Sequence, residues 1–287
     1  PDKSNQKQCD IFADLISAQV RTLKFLTFIL RGFAEEMEQY QDELAACVIR
    51  LLVNCPSEAV TSRKELLIVT RHLIQTKFRV GFYKNVDRLL DEHVLIGYSS
   101  HESVRPLAYC ALADLVHDVR ANLRIPQLSK VIHIFSRNIH DPTLPLFIQT
   151  ASVRLVLVLV ENIYRFNDAE RKWRVLLIRI LKTLVDKFES LKDYVKKLIG
   201  KMEAKKKKGK DDWTLAYTPR TEEDFPGDNT GEVKHLLRIM VVGLKKVVFC
   251  IFNVGRSNRM NDVNQKKIVD DEEVSILADV LEYALEC

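Results

Sequence analysis

Few side chains in this sequence stand at spacings that support chemistry. Asp114 and His117 are three residues apart. On a helix that spacing puts both on one face, within reach of a hydrogen bond. A carboxylate on an imidazole orients a general base, but a reaction also needs a nucleophile and an oxyanion site, and the sequence suggests neither. The expected role is a hydrogen bond that settles a partly exposed histidine. His133 and His140 lie seven apart with no Cys or carboxylate between them at ligand spacing, so they do not read as a metal pair. The six cysteines include no C-x-x-C pair. They read as reduced core thiols of an intracellular protein. Gly209-Lys210 is followed by Asp211, and Ala204 stands where a phosphate-binding loop needs its first glycine. H-E-x-x-H, G-x-S-x-G, G-x-G-x-x-G and the kinase catalytic tripeptides do not occur. Acidic pairs such as Glu35-Glu36, Asp91-Glu92 and the run Asp270 to Glu273 read as solvated faces. No cofactor and no metal are expected, and the chain reads as a binding protein rather than an enzyme.

The run Lys205 to Lys208 admits three readings. It is a solvated loop, a nuclear-import or acidic-partner patch, or a nucleic-acid contact. No aromatic residue interleaves with the lysines to stack on bases, so no specific nucleic-acid partner is expected. The 287 residues carry 44 Lys+Arg and 39 Asp+Glu, a net charge of +5. Residues 1–200 hold 29 basic and 23 acidic residues, and residues 201–287 hold 15 and 16. That surplus permits an acidic partner but is far from the dense basic stripe of a nucleic-acid binder.

The elements that carry these residues are helices. Hydrophobic residues make up 47% of the chain, with only 9 Gly and 8 Pro, too few turn formers for a protein of many strands. Apolar residues recur every three or four positions. Trp173, Leu177, Ile180, Leu184, Phe188, Leu191, Val195 and Leu198 form one stripe, with charged residues opposite. They predict a helix from about Asp168, roughly 45 Å long. Ser62 with Glu65, and Ser99 with Glu102, fit capping boxes before Leu66–Ile74 and Val104–Leu123. Pro126 suits the first turn of a helix that runs to about Ile139, where Asp141-Pro142 breaks it. Leu146–Tyr164 is apolar almost all round, which predicts cover on several sides. The runs Leu155–Val160 and Ile239–Phe252 are too short or too charged to span a membrane.

Helix starts near Ser62, Ser100 and Leu146 are separated by 38 and 46 residues, with two helices in each interval. That period predicts an all-α fold, an α-solenoid of HEAT-like helical hairpins. Residues 1–200 are expected to form the repeats. Residues 201–230 are expected to be a charged, low-complexity linker or partly disordered loop, and residues 231–287 a further repeat segment. A last helical pattern covers Val274–Leu285. The first residue is Pro1 rather than Met, so a fragment of a larger chain is expected.

Three stretches carry a resemblance. They are Leu51 to Ile74, with Asn54-Cys55-Pro56-Ser57 and Arg63-Lys64-Glu65; Leu89-Leu-Asp-Glu-His-Val-Leu-Ile-Gly97; and Arg105-Pro-Leu-Ala-Tyr-Cys-Ala-Leu-Ala-Asp-Leu-Val-His-Asp-Val-Arg120. They resemble the HEAT-repeat region of the transformation/transcription domain-associated (TRRAP) family, including its fungal counterparts. The likeness is collinear over about residues 50–165 and looser elsewhere. Tyr98, where the family's pattern has a small loop residue, Val104, where it has Leu, and Cys110, where it has Ser, depart from that pattern, in motifs that serve packing. The resemblance implies a piece of a very large pseudokinase of the phosphatidylinositol-3-kinase-related family. It implies a scaffold subunit of nuclear histone acetyltransferase coactivator complexes, SAGA among them, that docks transcription activators. No catalytic residue carries over to any position here. The partners implied are activators with acidic activation segments and co-subunits of the complex. Grooves between hairpins, flanked by bases, would take such segments as helices. The bases expected to serve are Arg165, Arg171, Lys172, Arg179, Lys182, Lys196 and Lys197. Periodicity alone leaves another HEAT-type adaptor open, such as a transport receptor or phosphatase scaffold.

Overall fold

A computed structural model describes residues 3–56, 58–97, 103–165, 172–208 and 230–257, with Ser275 and Ala278. The described residues are helical and turn structure without a strand. In chain order the helices are α1 (Lys3–Gly32), α2 (Gln41–Asn54), α3 (Val60–Ile74), α4 (Arg79–Tyr83), α5 (Val86–Leu89), α6 (Glu92–Leu95), α7 (Arg105–Val119), α8 (Ile125–His140), α9 (Leu146–Arg165), α10 (Lys172–Lys208) and α11 (Thr230–Ser257). Short 3₁₀ turns precede α2 and follow α7.

Contacts divide the chain into two compact units. The first comprises residues 1–134 and 141–155, the second residues 135–140 and 156–287. In the first unit α1 packs on α3 and α3 on α7, while α2 packs on α3, α4 and α6. In this unit α1, α3 and α7 thus line up in one layer, with α2, α4 and α6 in another. Val20 and Leu23 of α1, Val48, Ile49 and Leu52 of α2, Leu66, Leu67 and Leu73 of α3, and Ala108, Leu112 and Leu115 of α7 are buried between them. The starts of α3, α7 and α9, at residues 60, 105 and 146, keep the expected repeat length. The second hairpin departs from two simple helices, because three short ones, α4 to α6, take the place of its return helix. The side chain of Asp91 accepts from the His93 amide at 3.0 Å and restarts the chain as α6. Gly97, at φ +76°, ends it. That left-handed conformation costs glycine least.

In the second unit α10 packs on α11. The Thr183 hydroxyl donates to Ser136 Oγ at 3.1 Å and joins α10 to the end of α8. Lys246 of α11 pairs with Glu161 of α9 at 2.7 Å. Gly243 lies so close to the Leu157 side chain that a methyl group at this position would collide with it. The stripe expected on α10 is buried from Trp173 through Val195. α10 runs to Lys208, about 55 Å, and so continues eight residues past Gly200. The side chain of Leu198 and residues 209–229 lie outside the described residues, as does most of Val274–Leu285.

Several local expectations change. α3 starts at Val60, and its N-cap, Ala59, makes no side-chain cap bond. Ser62 therefore sits inside the helix and is not its cap. The Ser99 and Glu102 box lies outside the described residues, and α7 begins at Arg105. α8 matches closely. Pro126 is in its first turn, the Arg124 amide donates to Gln127 Oε1 at 2.9 Å, and Asp141 caps the end. Leu146–Tyr164 is, by length and composition, apolar enough to cross a membrane, at mean hydropathy 1.6, a longer window than Leu155–Val160. Two thirds of it, 67%, is buried inside protein, as a core helix requires.

Candidate partner-binding surface

The groups singled out for chemistry are not assembled into a reactive set. Asp114 does not bond His117. It accepts from Arg71 Nε at 2.7 Å and Gln75 Nε2 at 3.0 Å, which ties α7 to the end of α3. His117 turns to Asp118, at 3.6 Å, and to Arg120. The inter-helix partner wins because α3 and α7 pack side by side and bring Arg71 over Asp114. Among the described residues no three His, Cys, Asp or Glu side chains are grouped to hold a metal ion. Cys55 and Cys250 are buried, Cys47 and Cys110 half-buried, and Cys9 is exposed rather than in the core. Burial pushes the thiols of Cys55, Cys110 and Cys250 up, away from the reactive thiolate.

Of the seven bases expected to meet a partner, three have described side chains. Arg179 and Lys196 are exposed and Lys182 is half-buried, all on α10. Arg179 and Lys182 are one turn apart. Lys196 is 14 residues beyond Lys182, about 21 Å along the helix. Exposed Asp186 and Glu189 stand between them, so this face is mixed in charge. Arg171 and the side chains of Arg165, Lys172 and Lys197 lie outside the described residues.

An apolar groove with basic flanks does exist in the first unit. A cleft of about 420 Å³ opens between α1 and the end of α3, lined by Thr27, Leu30, Leu73 and Phe78 among others, with His72, Lys77 and Arg79 around it. Lys77 is 3.6 Å from Glu35 and Arg79 3.8 Å from Asp118, both loose pairs, the first exposed and the second half-exposed. Exposed Phe25 and Phe28 lie on the same stretch of α1, and exposed Phe33 follows its last residue. Sequence reading missed this site, because it depends on where the α3–α4 turn meets α1 in space.

A buried cation holds this hairpin together, also unforeseen. Arg63 is 3% exposed. Its guanidinium donates to the carbonyls of Val94 (3.1 Å) and Leu95 (3.2 Å) at the end of α6, and of Leu52 (3.0 Å) and Cys55 (2.8 Å) at the end of α2. Helix C-termini leave carbonyls unpaired and carry partial negative charge, so one cation serves two ends. Desolvation pulls the Arg63 pKa below the usual guanidinium value. Gly97 lies over it: a Cβ there would come 2.7 Å from Arg63 Cζ. In sequence Arg63 sits in Ser-Arg-Lys-Glu, a string that reads as solvent-facing.

Paired helical layers of about 40 residues per hairpin, ion-paired from one to the next, define a HEAT-type repeat protein, an α-solenoid by class. The family described as the Tra1 HEAT repeat central region matches residues 11–224, and the chain belongs to that family. It is 42% identical over 188 residues to the transformation/transcription domain-associated protein of Homo sapiens, across 64% of this chain and 5% of that protein. It is 40% identical over 200 residues to a probable transcription-associated protein 1 of Dictyostelium discoideum, across 69% of this chain and 4% of that protein. With TRA1 of Saccharomyces cerevisiae, named a SAGA complex/NuA4 acetyltransferase complex subunit, it shares 36% identity over 208 residues, 68% of this chain and 6% of that one. The chain thus spans a small fraction of the length of the relatives it matches.

Proposed function

We propose that this chain is a non-catalytic scaffold segment of a nuclear transcription coactivator, part of a histone acetyltransferase complex, and that it docks acidic activation segments and co-subunits. Family membership carries this reading, together with a relative whose name places it in SAGA and NuA4. In it, helical repeats flank a charged connection, with α10 carrying the first set to Lys208. The groove beside α1 supports the docking mechanism. Leu30, Leu73 and Phe78 offer an apolar floor, and Lys77 and Arg79 are held by carboxylates loosely enough to exchange them. An acidic amphipathic helix would lay its apolar side chains on the floor and its carboxylates on the rim. Coupled ordering costs part of the gain, so affinity is modest.

The test is binding of a fluorescent acidic activation segment to the 287-residue chain. Lys77→Glu with Arg79→Glu is expected to weaken binding about tenfold or more, as loss of two rim charges implies. Arg179→Glu with Lys182→Glu and Lys196→Glu tests the α10 bases in parallel. If neither variant changes binding, activation segments do not dock here.

A further inference from the structure

The outer face of α11 carries chemistry that nothing described around it uses. At about 100° per residue, Lys234, Arg238, Val241, Val242, Lys245 and Phe249 share one side of the helix. Leu236, Met240 and Val247 are buried on the other. Val241 is 41% exposed, and Val242 and Phe249 are each 65% exposed. No acidic residue shares this arc. Lys234, Arg238 and Lys245 have no ion-pair partner among the described residues. An exposed face that mixes apolar residues with bases and no acid fits a helix that mixes apolar residues with acids.

The other ion pairs show where the chain finds such acids. Lys24–Glu65, Arg71–Asp114, Lys77–Glu35, Arg79–Asp118, Lys84–Asp42, Arg105–Asp141 and Arg124–Asp87 all join partners 36 to 43 residues apart. That separation is one repeat. Besides the adjacent His117 and Asp118, Lys246–Glu161 departs from it, and it bridges the stretch that holds residues 209–229. Counted forward by the same 36 to 43 residues, Lys234 reaches Asp270, Asp271, Glu272 and Glu273; Arg238 reaches Asp279; and Lys245 reaches Glu282 and Glu286. Counted backward, Arg238 reaches no acid, and Lys234 and Lys245 reach one each, on α10. Residues 270–287 hold seven acids and no base, with Val274, Leu277, Leu281 and Leu285 at helical spacing. Within that run Ser275 and Ala278 are helical and exposed, one turn apart.

We propose that the chain's own acidic run, Asp270 to Glu286, is the occupant of the outer face of α11. Its leucine stripe lies on Val242 and Phe249, and its carboxylates face Lys234, Arg238 and Lys245. A carbodiimide tests this on the unmodified 287-residue chain. The reagent condenses a lysine amine with a carboxylate that touches it, and mass spectrometry maps the new amide. Lys234 or Lys245 is expected to be linked to residues 270–286, alongside Lys84–Asp42 and Lys246–Glu161 as internal controls. Arg238→Glu with Lys245→Glu is expected to lower the Lys234 links about fivefold, and Asp279→Lys with Glu282→Lys to restore them. The proposal is overturned if the control links form and neither Lys234 nor Lys245 reaches the acidic run. Links that form only between isotopically distinct copies also overturn it, and make a second chain the occupant.

Discussion

Arg63 does at the residue scale what a carboxylate does elsewhere in the chain, but for main-chain atoms. Its four hydrogen bonds all go to carbonyls at two helix ends, while its Nε has no partner. Replacing it with Met leaves those carbonyls buried and unpaired. Arg63→Met should cost about 3 kcal/mol in urea unfolding, and Arg63→Lys should recover less than half, because one ammonium cannot fork to both helix ends. Equal stability of Arg63→Met and the parent would show that water satisfies the carbonyls instead. Asp141 sets the acid limit at this scale. Burial disfavours its charge, but hydrogen bonds from Thr143 and Arg105 outweigh that and hold its carboxyl below the ordinary 3.8. A depressed carboxyl contributes stability above its unfolded pKa and loses it as pH falls through the folded one. The stability gap between the parent and Asp141→Asn should therefore be full at pH 6 and shrink steadily below pH 3.8. A gap that stays constant down to pH 2 would remove Asp141 from the account.

At the scale of elements, the legible parts were those where one helix answers to its own spacing. The stripe from Trp173 to Val195, the Pro126 start and the Asp141 stop of α8 all came from local pattern, and all are there. What tertiary contact decides was not legible. Ser62 with Glu65 makes a good box on paper, yet α3 begins before it, so that Arg63 points from helix interior to two neighbouring ends. The return helix of the second hairpin breaks into α4, α5 and α6 because its backbone must follow α2 closely. Gly81 marks that approach: a Cβ there would collide with the Gln41 carbonyl on α2. Three of the helical glycines therefore rank by what they meet. Gly81→Ala pushes on backbone and should cost about 2 kcal/mol. Gly243→Ala meets only the end of the Leu157 side chain, which can turn away, and should cost about 1 kcal/mol or less. Gly32→Ala meets nothing within 4 Å and should gain about 0.5 kcal/mol by restricting the unfolded chain. Thermal unfolding of the three variants checks the order, and a Gly243 variant worse than the Gly81 one would refute it.

At the scale of the whole molecule, repeat proteins derive stability from each repeat and its neighbours, so damage spreads by adjacency. Each unit here has its own buried core, Leu66, Leu73 and Leu112 in the first, Leu177, Ile180 and Leu184 in the second. The half-exposed ion pairs between hairpins are worth at most about 1 kcal/mol each, so apolar burial within a unit dominates its opening. Leu112→Ala and Leu177→Ala should each cost about 2–5 kcal/mol locally. Hydrogen exchange can then read the unit directly. Leu112→Ala should speed exchange of α2, α3 and α7 far more than that of residues 176–188, and Leu177→Ala should do the reverse. Equal acceleration in both units for either variant would mean one cooperative block, held together through α8 and α9, which contribute residues to both units. The distinction matters for a scaffold, since a unit that opens alone can yield a groove to a partner while the rest of the chain keeps its structure.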